Sequence, residues 1–196
     1  MSRRALGWAD SGDGGWLAGA RAARSPHRDA RPAGAVVDLL VVHHISLPPG
    51  RFSGDAIERL FTGRLDPDAH PYFEQLRGMR VSAHFLIRRR GELLQFVGCD
   101  ERAWHAGASA FLGRERCNDF SIGVELEGDG RTRFTEAQYR RLAALTALLC
   151  ARHRLRWVAG HSDIAPGRKV DPGPFFDWPR YLGSVSSTGL QRPFAD

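Results

Sequence analysis

His161 and Asp171 stand ten residues apart in the stretch Gly160-His161-Ser162-Asp163-Ile164-Ala165-Pro166-Gly167-Arg168-Lys169-Val170-Asp171-Pro172-Gly173, with turn-forming residues between them. Lys169 lies two residues before the aspartate. Of the 28 lysines and arginines in the chain, 27 are arginine and this is the one lysine. Its ammonium is a compact point charge whose proton affinity moves on burial, and arginine's planar fork does not replace it. A further imidazole, His43, follows the apolar run Val36-Val37-Asp38-Leu39-Leu40-Val41-Val42. Two imidazoles and a carboxylate with a fourth position free are a common catalytic-zinc donor set; the metal lowers the pKa of its water to about 7 and polarises a carbonyl. At such long, unequal spacings the same residues suit hydrogen-bonded structural roles equally well, and no HExxH pair is present.

A hydrolytic site also needs a base for the water and a positive group for the developing oxyanion. Lys169 is the candidate for the second. For the first, Phe120-Ser121-Ile122-Gly123-Val124-Glu125-Leu126-Glu127 alternates strictly. Phe120, Ile122, Val124 and Leu126 share one face of a strand. Ser121, Gly123, Glu125 and Glu127 share the other. Glu125 thus points away from the apolar face, beside two small residues that leave space for another group. By alternation alone Glu127 has an equal claim. No GxSxG, no cysteine in a catalytic context and no glycine-rich phosphate loop offers a competing chemistry.

These residues need elements to hold them. The run Val36–Val42 reads as a strand buried on both faces and ending at His43-His44. Ser82–Ile87 and Glu92–Val97 read as a β-hairpin around Arg90-Gly91, and Arg156–Ala159 as a short strand leading into Gly160-His161. Ser53–Thr62 has helical spacing. Thr135 with Gln138 matches a capping box and opens a helix whose apolar stripe is Tyr139, Leu142, Leu145 and Leu149. A short helix is expected up to Leu182. Residues 64–80 and 101–117 read as irregular.

The 196 residues suit a single domain, here residues 35–182, between an irregular N-terminal arm (1–34), on which Trp16-Leu17 can dock, and a frayed C-terminal tail (183–196). Hydrophobic content of 42% and charged content of 26% are ordinary for a globular protein. The net charge of +6 permits an anionic partner. The arginines are scattered, however, and Arg88-Arg89-Arg90 reads as a hairpin tip, so no nucleic acid is expected. Cys99, Cys117 and Cys150 form neither a disulfide framework nor a CxxC pattern, which suits a reducing compartment. The N-terminus lacks an apolar signal segment and no run reaches transmembrane length. The expectation is a cytoplasmic protein with no membrane partner.

Val41-Val42-His43-His44-Ile45-Ser46-Leu47-Pro48-Pro49-Gly50, Ser82-Ala83-His84-Phe85-Leu86-Ile87, Trp104-His105-Ala106-Gly107, Gly113 to Gly128 and the Gly160–Gly173 stretch, in this order, resemble the AmpD-type N-acetylmuramyl-L-alanine amidases, within the wider zinc amidase and peptidoglycan-recognition fold. The resemblance runs from about Trp16 to Leu182. It implies an α/β fold with a central mixed sheet flanked by helices and a zinc site at strand ends. It implies one Zn2+ per chain, held by His43, His161 and Asp171. The substrate it implies is an anhydro-muropeptide, cut at the amide between (1,6-anhydro)-N-acetylmuramic acid and L-alanine during peptidoglycan recycling. Glu125 matches the general base position and Lys169 the oxyanion-stabilising one, which leaves Glu127 a structural neighbour. Aspartate as third ligand fits the AmpD branch, where many relatives carry cysteine. His44 stands where close relatives carry asparagine, and strand alternation turns it away from His43's face. Arg116 and Arg80 are candidates for gripping stem-peptide carboxylates. Trp104 and His105 match cleft-wall residues, and His84 reads as a structural histidine. A monomer is expected. Two other readings fit the resemblance. A non-catalytic muropeptide-binding module is disfavoured by the complete donor set, and an exported lytic amidase by the absent signal segment.

Overall fold

The computed structural model describes residues 6–9 and 14–194. Parts of the expected arm (1–5, 10–13) and of the tail (195–196) lie outside the described residues. In chain order the elements are β1 (Arg21–Ala22), β2 (Arg28–Ala30), β3 (Leu39–Ile45), α1 (Ala56–Phe61), β4 (Phe85–Ile87), β5 (Leu93–Gln95), β6 (Glu101–Ala103), β7 (Ala110–Phe111), β8 (Arg114–Glu115), β9 (Ser121–Glu127), α2 (Glu136–Arg152), β10 (Trp157–Gly160), α3 (His161–Ile164) and α4 (Trp178–Ser184). Six strands form one mixed sheet in the order β1-β5-β4-β9-β3-β10. All neighbours in it are parallel except the β4–β5 hairpin.

β3 and β9 lie in the middle of the sheet, and Leu39–Val42 and the whole of β9 are buried. The continuous β-branched run is what a doubly covered parallel strand requires. β3 starts later than the apolar run suggests and continues through His43-His44 to Ile45, because β9 pairs with it to the end: His43 lies opposite Glu125 and Ile45 opposite Glu127. Alternate residues divide between two cores. Leu40, Val42, Ile122, Val124 and Leu126 pack with Tyr139, Leu142, Leu145 and Leu149 of α2. Leu39 and Val41 pack on the opposite side with Ala106, Phe111, Cys117, Phe120 and Ala159. Thr135 caps α2 through the expected reciprocal box with Gln138, and Leu142, Leu145 and Leu149 are fully buried.

Three expectations need correction. The described part of the arm is not irregular. Leu17 and Trp16 are buried, β1 pairs in parallel with β5, and β2 pairs with β6. Gln95 explains the docking: its side chain accepts the Leu17 N–H at 2.8 Å and donates to the Gly15 carbonyl at 2.8 Å. The tail is not frayed either. Val158 donates to the Gln191 carbonyl and Gln191 to the Arg156 carbonyl, each at 2.9 Å, and Leu190 is buried. β10 is the sheet's edge, and the tail satisfies backbone groups that the edge leaves open. Finally, residues 64–80 contain two 3-10 helices, Pro67–Ala69 and Pro71–Leu76, each started by a proline and capped by the preceding residue's side chain. Short strands β6, β7 and β8 lie within 101–117.

Candidate metal centre

His43 enters the site from the C-terminal half of β3, His161 from the first turn of α3 directly after β10, and Asp171 from the loop that follows α3. Parallel pairing of β10 with β3 sets Gly160 opposite Val42, so the two histidines emerge side by side. The Ser162 N–H donates to the Asp171 carbonyl at 2.8 Å and folds that loop back. His43 Nδ1 lies 3.0 Å from His161 Nδ1 and 3.0 Å from Asp171 Oδ2. His161 Nδ1 lies 3.1 Å from the same oxygen. One ligand atom from each residue fits within 4.8 Å of the others, and all three residues are buried.

This geometry suits a cation. His161 Nε2 lies 3.2 Å from the Ala106 carbonyl, which can only accept, so His161 carries its hydrogen there and turns a lone pair inward. Burial lowers the His43 pKa to about 4, against the raising effect of Asp171, so this imidazole is neutral near pH 7. Burial pushes the Asp171 carboxyl up, but its bonds to His161 and His43 outweigh that and hold it below the usual range. Lone pairs and a carboxylate crowded at about 3 Å are what a shared zinc ion relieves, and two imidazoles with one carboxylate match zinc's preferred donors. His44 does not join the group. It lines the adjacent cleft and its ring packs beside Gly130.

Beside the three donors opens a cleft of about 280 Å³. Its lining combines the polar Glu125, Lys169, His161 and Asp171 with the apolar Leu47, Phe61, Leu76 and Met79 and with Tyr72. Glu125 is only 8% exposed, not on a solvated strand face, and its Oε2 has no hydrogen-bond partner among the described residues. Its carboxyl is raised well above the ordinary value by burial first and by Asp171 second, with Lys169 pulling the other way. Glu127 is excluded from this role by its own contacts: it accepts from Arg88 Nη1 at 3.2 Å and from the Arg89 N–H at 3.0 Å. Lys169 is exposed at the cleft, and its backbone N–H donates to the Ala165 carbonyl at 3.0 Å.

Among the expected substrate contacts, Trp104 lines the cleft, held by Nε1 donating to Asp29 Oδ1 at 3.1 Å and by stacking on His27. The two arginines do not reach it. Arg116 has a side chain 70% exposed that turns to Asp119 at 3.3 Å. Arg80 lines an adjoining cavity with Leu65, Pro67 and Gly78, which shares Leu60, Leu76 and Met79 with the cleft. His105 borders the cleft, yet both its ring nitrogens face protein: Nδ1 lies 2.9 Å from His43 Nε2 and Nε2 lies 3.2 Å from Ser121 Oγ. The space left by Ser121 and Gly123 on the Glu125 face is therefore filled by the His105 ring. His84 is fully buried, its Nδ1 accepting the Gly123 N–H at 3.0 Å. Sequence reasoning did not single out Arg31, which crosses from the arm and donates to the carbonyls of Asn118, Asp119, Ser121 and Cys99. It ties together the chain beneath His105, and an arginine in an arm rich in arginine carries no signal of that.

The profile of the N-acetylmuramoyl-L-alanine amidase family matches residues 33–174. The chain is 58% identical over 174 residues to the 1,6-anhydro-N-acetylmuramyl-L-alanine amidase AmpD of Escherichia coli, covering 88% of this chain and 95% of that one. It is 51% identical to the AmpD of Haemophilus influenzae, covering 87% and 95%. Among solved structures, a selenomethionine AmpD derivative superposes with a TM-score of 0.85 at 56% identity, over 88% of this chain and 98% of that one. The amidase AmiD from E. coli, in complex with anhydro-N-acetylmuramic acid-L-Ala-D-gamma-Glu-L-Lys, matches with a TM-score of 0.57 at 30% identity, over 79% and 60%.

Proposed function

The chain belongs to the N-acetylmuramoyl-L-alanine amidase family, and we propose that it hydrolyses the amide between 1,6-anhydro-N-acetylmuramic acid and L-alanine of the stem peptide, using one zinc ion held by His43, His161 and Asp171. The observation that carries this reading is the buried Glu125, one of whose carboxyl oxygens has no hydrogen-bond partner among the described residues, beside a converged His-His-Asp set at one cleft. Bound there, zinc supplies Lewis acidity and lowers the pKa of water. The chain's own groups do the rest. Glu125 removes a proton from the attacking water and returns one to the amine nitrogen as the C–N bond breaks, so it ends unchanged. A raised pKa suits a group that must both take and give a proton near neutral pH. The Lys169 ammonium faces the cleft and offers positive charge to the carbonyl oxygen as it becomes an oxyanion. The apolar lining residues Leu47, Phe61, Leu76 and Met79, with Trp104, receive the less polar parts of the substrate.

We infer that it acts in the cytoplasm, a reducing compartment that its three free cysteines suit. Incubation of the zinc-loaded protein with anhydro-muropeptide and, separately, with intact peptidoglycan tests the reading. Release of free stem peptide from the soluble fragment is the expected result. Cleavage confined to intact wall reassigns the enzyme to lysis, and tight binding of the fragment without cleavage reduces it to a binding module.

A further inference from the structure

Both candidate ligand histidines turn Nδ1 inward and Nε2 outward, and both outward nitrogens meet one short loop. His161 Nε2–H donates to the Ala106 carbonyl at 3.2 Å. His43 Nε2 lies 2.9 Å from His105 Nδ1, and His105 Nε2 lies 3.2 Å from Ser121 Oγ. This second chain can run in two directions. If His105 Nδ1 donates, His43 must carry its hydrogen on Nδ1, where a ligand needs its lone pair. If His43 Nε2–H donates, its Nδ1 is a lone pair aimed at His161 and Asp171. Only the second direction makes His43 a ligand, and it requires His105 to hold its own hydrogen on Nε2, toward Ser121.

The His105 ring is seated from three sides. Asn118 Oδ1 accepts the backbone N–H of His105 at 3.1 Å and that of Ala106 at 2.8 Å, so one side chain fixes the loop that serves both ligands. The ring meets His43 nearly edge-on, at 85° with centroids 5.0 Å apart. Below it lies Gly123, where a Cβ would come within 2.4 Å of His105 Cγ. No hydrogen atom in place of that glycine's side chain is spare: the ring occupies the volume.

We propose that His105 is a positioning residue for the metal centre: its Nδ1 accepts the His43 Nε2–H, locking that imidazole in the tautomer and orientation that present Nδ1 to zinc, and position 123 is glycine to seat the ring. Outer hydrogen-bond partners of metal-binding histidines fix ring orientation and raise ligand basicity, and their loss weakens metal binding by about 10–100-fold. The inference rests on the His-His-Asp set holding zinc.

The test compares the parent protein with His105→Asn, His105→Phe and Gly123→Ala. Asparagine keeps an acceptor oxygen near the position of Nδ1; phenylalanine fills the space without one. Zinc affinity is measured by chelator competition, with melting of the metal-free forms as a check on folding. The expected result is a loss of about 10–100-fold for His105→Phe and a similar loss for Gly123→Ala, which displaces the ring without removing a polar side chain. His105→Asn should stay within a few-fold of the parent. Parental affinity in His105→Phe overturns the proposal, as does an equal loss in the asparagine and phenylalanine variants, which would make the role one of packing. The tautomer is read independently of any variant by 15N–1H correlation of the zinc-loaded parent: a hydrogen on His43 Nε2 is expected, and one on Nδ1 overturns the proposal. A parent that binds no zinc removes the metal reading and this inference with it, whereas a zinc-binding parent matched by His105→Phe removes this inference alone.

Discussion

Glu125 is a buried carboxyl that the fold does little to satisfy. Its Oε2 is buried without a hydrogen-bond partner among the described residues, and burial raises its proton affinity well above the ordinary value. A carboxyl whose folded pKa exceeds its unfolded one stabilises the fold only while protonated. The metal-free protein should therefore lose stability as pH rises from the ordinary carboxylate range through the raised folded pKa. Glu125→Gln removes that cost. The metal-free variant is expected to melt higher than the parent at pH 7, with the difference vanishing near pH 4, while turnover of the zinc-loaded enzyme falls about 10²–10⁴-fold. Calorimetry across pH and a release assay check both halves, and a parental rate in Glu125→Gln would return the base to an open question. Lys169→Arg keeps the charge but spreads it over a planar fork. A drop in kcat of about 100-fold, with zinc content unchanged, is expected if the ammonium meets the oxyanion. Of these residues, the sequence alone made Lys169 conspicuous because it is the single lysine among arginines; strand alternation could not choose between Glu125 and Glu127, and only the family resemblance favoured Glu125. The choice lies in Arg88 and the Arg89 backbone, which engage Glu127 and leave Glu125 to the cleft.

At the scale of elements, local signals were legible and pairing partners were not. The cap at Thr135 and the stripe of α2 follow from spacing within a few residues, and the structure places the helix at Glu136–Arg152. The alternation sorted Ser121–Glu127 between the two faces of β9, but Phe120, expected beside Ile122, Val124 and Leu126, precedes the strand and packs in the opposite core with Leu39 and Val41. Ser121 and Gly123 marked a space; the ring that fills it comes from a loop whose own sequence says nothing of direction. The arm and the tail read as irregular because their order comes from distant partners. Leu17 and Gly15 are held by Gln95, 78 and 80 residues away. Replacing Gln95 with alanine leaves the Leu17 N–H unpaired in a buried place, while the Gly15 carbonyl keeps the Cys99 N–H at 3.2 Å; the orphaned donor should cost about 1–3 kcal/mol. Denaturant unfolding measures the loss, and faster amide exchange at Leu17 than in α2 would locate it in the arm.

Across the whole molecule, the hydrophobic cores and the metal centre are separate structures. The largest core lies between the sheet and α2, and the candidate donors come from the C-terminal half of β3, the start of α3 and the loop after it. Chelation should therefore abolish turnover while leaving the secondary structure in place, as seen by far-ultraviolet circular dichroism. The melting temperature should still fall, because a ligand bound only by the folded state contributes about 2.7 kcal/mol when present at a hundred times its Kd. Global unfolding on chelation would instead mean that the metal, not the sheet, holds the domain together.

The solitary lysine has a practical consequence. Amine-selective acylating reagents find one ε-amine in this protein, and it lines the cleft. A protein grown on 15N-lysine should show a single side-chain resonance that reports directly on the reaction site, shifting when muropeptide enters and indifferent to events elsewhere. Acylation at that one atom should silence the enzyme, and saturating fragment should shield it; peptide mapping after each treatment would tell whether Lys169 is the residue marked.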